Sequence, residues 1–164
     1  MSSRPILSFP DPRLRVAAAS VTRFDADLRE LAADMLDTMR EAPGIGITAP
    51  HVGVSLRLVV LELVPGDVRT YVNPVLDGVS RETLRHVEGS IAMPGVTDEL
   101  ERHAHVRVRY RDLDGAEHVE EADGLLAVCH QHEIDQLDGI FWIDRLSRLK
   151  RDRLIARYNK LRRS

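Results

Sequence analysis

The sequence predicts an α+β fold, and three observations carry that prediction. Residues 25–40 have the apolar spacing of an amphipathic helix. The middle of the chain breaks into short β-branched segments separated by turn residues, and two further helical patterns, 124–137 and 145–163, close it. Helices and strands do not alternate one for one, which is the order of an α+β fold and not of a parallel α/β sheet. With 164 residues, 43% of them apolar, the chain can bury about 70% of its unfolded surface around one core, so residues 1–164 are expected to form one domain.

In the first helix Leu28, Leu31, Ala32, Met35 and Met39 keep the helical period, with Asp25 or Thr22 available as N-cap. The run stops at Pro43-Gly44-Ile45-Gly46, and a loop is expected from there to Gly53. Segments 56–63 and 70–76, on either side of Pro65-Gly66-Asp67, read as two strands joined by a turn, and 81–87 as a third. Residues 106–110 alternate apolar and charged side chains. With the turn Asp112-Leu113-Asp114-Gly115 and a partner at 117–120 they read as a hairpin with one wet face. Asp123 is placed to cap the helix 124–137, whose first turns are apolar nearly all round, as in a buried helix, and which ends at Asp138-Gly139. In the last helix Leu146, Leu149, Leu154, Tyr158 and Leu161 are expected to form one apolar face.

The formal net charge of −3, from 23 basic and 26 acidic residues, by itself points to neither a nucleic acid nor a membrane. Its distribution is uneven. Nine basic residues between Arg145 and Arg163 face one acid, Asp152, giving the last helix a basic exterior. Such an exterior is either a solvated face or a contact for a polyanion such as ribosomal RNA. No apolar run is long enough for a membrane span, and no signal-like stretch builds near the start. The single cysteine, Cys129, excludes an internal disulfide. A reducing cytoplasm is the expected compartment, with no membrane partner, and seven histidines make bound metal worth testing.

On helix 124–137, at about 100° per residue, His132, Gln136 and Cys129 fall within about 60° of arc, with Glu133 at the edge. A buried polar stripe destabilises unless each member is bonded, so this cluster points to a site. The nearest mechanistic pattern is H-E-x-x-H, in which two histidines hold a metal and the glutamate moves a proton. Here the last position is Gln136.

Three segments resemble, in order and spacing, the signature motifs of the peptide deformylase family, G-x-G-[LI]-A-A-x-Q, E-G-C-L-S and Q-H-E-x-D-H. They are Gly44-Ile45-Gly46-Ile47-Thr48-Ala49-Pro50-His51, Glu88-Gly89-Ser90-Ile91-Ala92 and Gln131-His132-Glu133-Ile134-Asp135-Gln136. Flanking stretches such as Val72-Asn73-Pro74 and Asp123-Gly124-Leu125-Leu126-Ala127 extend the likeness over nearly the whole chain. The resemblance implies antiparallel strands around a buried motif-bearing helix, plus a C-terminal helix. It also implies an activity that removes the formyl group from N-terminal methionine. Such a site holds a metal on one Cys and two His, with a metal-activated water and the motif glutamate. A glutamine and a backbone N–H beside the Cys hold the developing oxyanion.

Carried over residue by residue, Ser90 stands where the thiolate ligand belongs, Gln136 where the second histidine belongs, and His51 where the glutamine belongs. His132 and Glu133 match. Glu133, His51 and the backbone of Ile91 are then the candidate catalytic groups, and Gly44, Gly46, Ile47, Glu88, Gly89 and Ser90 the candidate cleft. A neutral hydroxyl and a carboxamide are poor ligands, so no cofactor is expected; any divalent iron, zinc or nickel would be held through His132. The expected partner is a formylated or acylated peptide or small molecule.

Several readings follow from these substitutions. His51 could rebuild a metal shell with His132, Glu133 and either Ser90 or Gln136, or be a hydrogen-bonded loop histidine. Ser90 could act as a nucleophile with His132 as base, although Glu133, its neighbour on a helix, points about 100° away and is badly placed to orient that ring. Glu133 could act as a lone base, or the cleft could bind peptides or the ribosome without catalysis. Cys129 is expected to pack, because apolar neighbours keep a thiol protonated. His103 and His105, on one expected strand, are read as surface residues, and Arg102 and Asp135 as a charge pair behind the site.

Overall fold

Asp25 accepts the Leu28 amide at 3.1 Å and starts α1 (Ala26–Glu41), whose inward face is Leu28, Leu31, Ala32, Met35 and Met39. A side-chain cap of this kind is worth about 1 kcal/mol. The computed structural model describes residues 2–163. After α1 come β1 (Gly46–Thr48), β2 (Leu58–Leu61), β3 (Arg69–Val79), β4 (Thr83–Ser90), β5 (Met93–His103), β6 (His105–Arg111) and β7 (Glu117–Asp123), then α2 (Gly124–Leu137) and α3 (Arg148–Arg162). Every pairing between these seven strands is antiparallel; β1-β2-β3-β6-β7 make one sheet and β4-β5 a separate hairpin.

Strand β2 explains the layering. All of its side chains are buried because helices cover both of its faces. Leu58 and Val60 join Met35 and Met39 of α1, whereas Val59 and Leu61 join Cys129 and Leu137 of α2. Alternation along one strand thus feeds two cores, each fully buried aliphatic side chain contributing roughly 1.5–3 kcal/mol. Strand β3 bends at Asn73, which has φ 51° and clamps the Val21 backbone through both amide atoms. A third core lies under the hairpin, where Met93, Val96 and Leu100 of β5 meet Phe141, Trp142, Leu154 and Tyr158.

The structure departs from the sequence reading at several elements. The expected loop 43–53 contains β1, which pairs with β2, followed by a 3-10 turn, Ala49–Val52. The expected third strand, 81–87, lies instead at Thr83–Ser90, and its partner β5 shares only His103 with an expected strand. Consequently His103 and His105 sit on different strands: His103 Nδ1 lies 2.8 Å from the Ser80 carbonyl, and His105 contacts the Asp123 and Glu121 carboxylates. Asp123 stands at the N-cap of α2, but its carboxylate is taken by His105 and caps nothing. Leu125, in the first turn of α2, is 39% exposed. On α3 the buried pair is Leu154 and Tyr158; Leu149 (62% exposed) and Leu161 (48%) face outward, and Leu146 is buried ahead of the helix. Among the described residues no helix is long and apolar enough to cross a membrane.

Candidate active-site cleft

Three segments converge on one cavity of about 490 Å³. Its first wall is the 44–51 segment, where glycines permit close approach. A Cβ on Gly44 would stand 2.6 Å from Ile91 Cγ2, and one on Gly46 would stand 2.9 Å from Leu61 Cδ2 and 3.3 Å from Glu133 Oε2. The second wall is the β4–β5 hairpin, whose tight turn, with Ser90 paired to Met93, brings Ser90 and Ile91 to the cavity. Helix α2 supplies the floor with Cys129, His132 and Glu133.

His132 is held by a chain of charges. Its Nδ1 lies 2.8 Å from Glu88 Oε1. Arg102 donates to both Glu88 oxygens at 2.7 and 2.8 Å and to Asp135 at 2.8 Å, and Arg145 donates twice to Asp135 from the outer side. Burial acts to raise the Glu88 carboxyl, but its bonds to Arg102 and His132 outweigh that and bring it down to about 2. Burial likewise acts to lower His132, yet the bond to Glu88 and the nearby Glu133 place it above the ordinary histidine value. Glu133 is pushed upward by burial, with partial relief from His132, whose Nε2 is 3.6 Å from Glu133 Oε1.

His51 is oriented differently. Its Nδ1 accepts the Thr48 N–H at 2.9 Å and lies 3.0 Å from the Thr48 hydroxyl, so in the neutral ring the proton sits on Nε2. Burial, aided by His132, pushes it down to about 3. His51 Nε2 and Glu133 Oε2 are both buried without a hydrogen-bond partner among the described residues. Buried polar atoms in native proteins are almost always paired, so two at one cavity mark a ligand position.

The remaining candidates divide. Ser90 Oγ accepts the Ala92 N–H at 3.1 Å. Gly44, Gly46, Glu88, Gly89 and Ile91 line the cavity, whereas Ile47 is fully buried behind it, packed with the α1 face. Gln136 does not line the cavity; its amide donates to the Leu14 carbonyl at 2.7 Å. The face expected to unite His132, Gln136 and Cys129 is thus divided, because the N-terminal segment covers its far end. Burial raises the Cys129 thiol to about 12, in keeping with packing. The sequence reading missed Glu88 as the partner of His132. The available signal was its place two residues before Ser90 on a strand, where alternate side chains share a face.

The polypeptide deformylase profile matches residues 3–152. A Brucella melitensis protein named peptide deformylase-like is 65% identical over 164 residues, covering 99% of this chain and 100% of that one. A peptide deformylase of Afipia carboxidovorans is 43% identical, with 98% and 96% of the two chains covered. Among solved structures, a Legionella pneumophila peptide deformylase superposes with TM-score 0.94 at 39% identity, over 99% of this chain and 96% of the other. The Ehrlichia chaffeensis enzyme in complex with actinonin gives 0.92 at 35% identity, with both chains fully covered. The fold and the converging motifs define a deformylase-type α+β protein. The chain belongs to the polypeptide deformylase family.

Proposed function

We propose that this chain is a deformylase-type protein that recognises capped N-termini, a formylated or otherwise acylated amine or peptide, without the family's metal. The observation that carries the reading is the pair of unpartnered buried atoms at the cavity, His51 Nε2 and Glu133 Oε2. An N-acyl amide has the complementary groups: a carbonyl oxygen to accept from His51 Nε2–H, and an N–H to donate to Glu133.

The family is metal-dependent, and the residues of this cleft do not fit a three-ligand centre. Of the implied ligand positions only His132 offers an imidazole, with Nδ1 held by Glu88 as a ligating histidine requires. Ser90 presents a hydroxyl bonded to a backbone N–H, and Gln136 faces the Leu14 carbonyl. Among the described residues no group of at least three His, Cys, Asp or Glu is placed to hold a metal ion. A rebuilt centre on His51 and His132 has the hydrogen bonding against it. A ligating histidine donates its second N–H to an acceptor, whereas His51 Nδ1 faces the Thr48 N–H, a donor. The basic exterior of α3 is the proposed contact for a polyanion such as ribosomal RNA, and the cytoplasm the proposed place of action.

The test is calorimetric titration of the chelator-treated chain with formyl-Met-Ala-Ser. Binding of equal strength with and without chelator is expected, weakened by Glu133→Gln and by the free-amine peptide. Binding or deformylation that appears only on adding iron, zinc or nickel would overturn the reading.

A further inference from the structure

We propose that Ser90 is a nucleophile that takes the acyl group from the bound N-terminus, with His132 as its base; the proposal rests on the metal-free reading of the cleft. A serine in this place needs a base whose ring is held from behind, a donor for the oxyanion, and a free hydroxyl proton. The structure provides each. Glu133, the neighbour on the helix, is not what holds the ring: Glu88 does, 2.8 Å from His132 Nδ1, and Arg102 fixes Glu88 with two bonds of its own. His132 Nε2 has Glu133 Oε1 at 3.6 Å, beyond hydrogen-bond length, and makes no hydrogen bond among the described residues, at a cavity that Ser90 also lines. His51 Nε2–H is a buried donor with no acceptor among the described residues. Ser90 Oγ accepts from the Ala92 N–H, and its own proton has no acceptor among the described residues.

The step balances without a redox partner. Ser90 Oγ forms a bond to the carbonyl carbon while its proton passes to His132 Nε2, and the carbonyl oxygen, becoming negative, takes a hydrogen bond from His51 Nε2–H. The C–N bond then breaks, His132 returns the proton to the departing amine, and the acyl group remains as an ester on Ser90. Water adds to the ester with its proton taken by His132, releasing the carboxylic acid, formic acid for a formyl group, and restoring the hydroxyl. Glu88 touches no reacting atom and is a positioning residue. No hydrogen bond joins Ser90 to His132 in the resting structure, and such contacts commonly tighten only when substrate is bound.

The experiment uses the full chain in chelator and an alkyl fluorophosphonate, which labels serine nucleophiles irreversibly, with the modified residue read by peptide mass mapping. Labelling at Ser90 is expected, slowed by formyl-Met-Ala-Ser, absent in Ser90→Ala, and slowed about 10²–10⁴-fold in His132→Ala, the range for loss of a general base. Glu88→Gln should slow labelling by a larger factor than it weakens peptide binding, measured separately; a structural contribution alone would lower both by the same factor. Peptide binding in chelator with no label on Ser90, or labelling as fast in His132→Ala as in the natural chain, overturns the nucleophile and leaves the binding reading standing. Loss of peptide binding in chelator overturns the reading beneath it.

Discussion

His51 stays uncharged in the folded chain because its ring is buried, its Nδ1 is engaged by Thr48, and His132 lies nearby. With a folded value of about 3 against an ordinary 6.5, the unfolded chain binds a proton between those pH values that the folded chain refuses. Stability from this group is therefore complete above about pH 6.5 and falls as the pH drops, by at most about 1.4 kcal/mol per pH unit. Glu88 acts in the same direction but lower, between its ordinary 4.5 and about 2. His132 and His105, both raised, contribute stability that is present below 6.5 and lost as the pH rises through their folded values. Glu133, raised by burial, acts in the opposite sense from pH 5 to 6.5, but it is common to the natural chain and to His51→Gln, so the difference between their profiles isolates His51. Urea unfolding there should show stability falling with acid in the natural chain, and a flatter profile in His51→Gln. Equal slopes in the two chains would mean that the ring accepts a proton in the folded state.

At the scale of elements, the cleft depends on the contact between the 44–51 segment and the hairpin turn. Gly44→Ala sets a methyl 2.6 Å from Ile91 Cγ2, so Ile91 must shift toward the cavity. Overpacking of this kind costs roughly 1–3 kcal/mol of stability, and here it should appear as a lowered melting temperature together with about tenfold weaker peptide binding. The two helices after the sheet differ in how well their sequences announce them. Helix α2 is legible from its apolar run, but α3 is so basic that its leucines are a poor guide: Leu154 and Tyr158 are buried in the hairpin core and Ile155 packs against it, while Leu149 and Leu161 face outward. Leu154→Ala should therefore cost about 2–5 kcal/mol in thermal or urea unfolding, and Leu149→Ala less than about 0.5. Only the end of strand β5, at His103, is legible because Met93-Pro94-Gly95 lacks β propensity; pairing with β4 and the inward Val96, Leu100 and Arg102 make it a strand. The three motifs located the cleft, yet the direction of Gln136 could not be read. Its partner, the Leu14 carbonyl, is 122 residues away and depends on the finished fold.

For the molecule as a whole, the proposed metal-free reading has the supports of a metal centre outlast its ligands. Glu88 still holds Nδ1 of His132, and the Leu14 carbonyl, 2.7 Å from Gln136 Nε2, is the kind of acceptor to which a ligating histidine donates its second N–H. Loss of such outer partners alone costs about 10–100-fold in metal affinity, so their persistence matters when ligands are put back. The combined variant His51→Gln, Ser90→Cys and Gln136→His restores the three implied groups onto these supports. It should bind close to one zinc or iron per chain by metal analysis after dialysis, while the natural chain, dialysed alongside, should bind far less. Ser90→Cys alone should fall between them, because Gln136 would still face Leu14 and leave only His132 and a thiolate. The proposed covalent chemistry should disappear in the combined variant, since a thiolate held by a metal is no longer a free nucleophile. If the natural chain binds as much metal as the variant, the hydroxyl and carboxamide ligate after all, and the metal-free reading fails for the whole molecule.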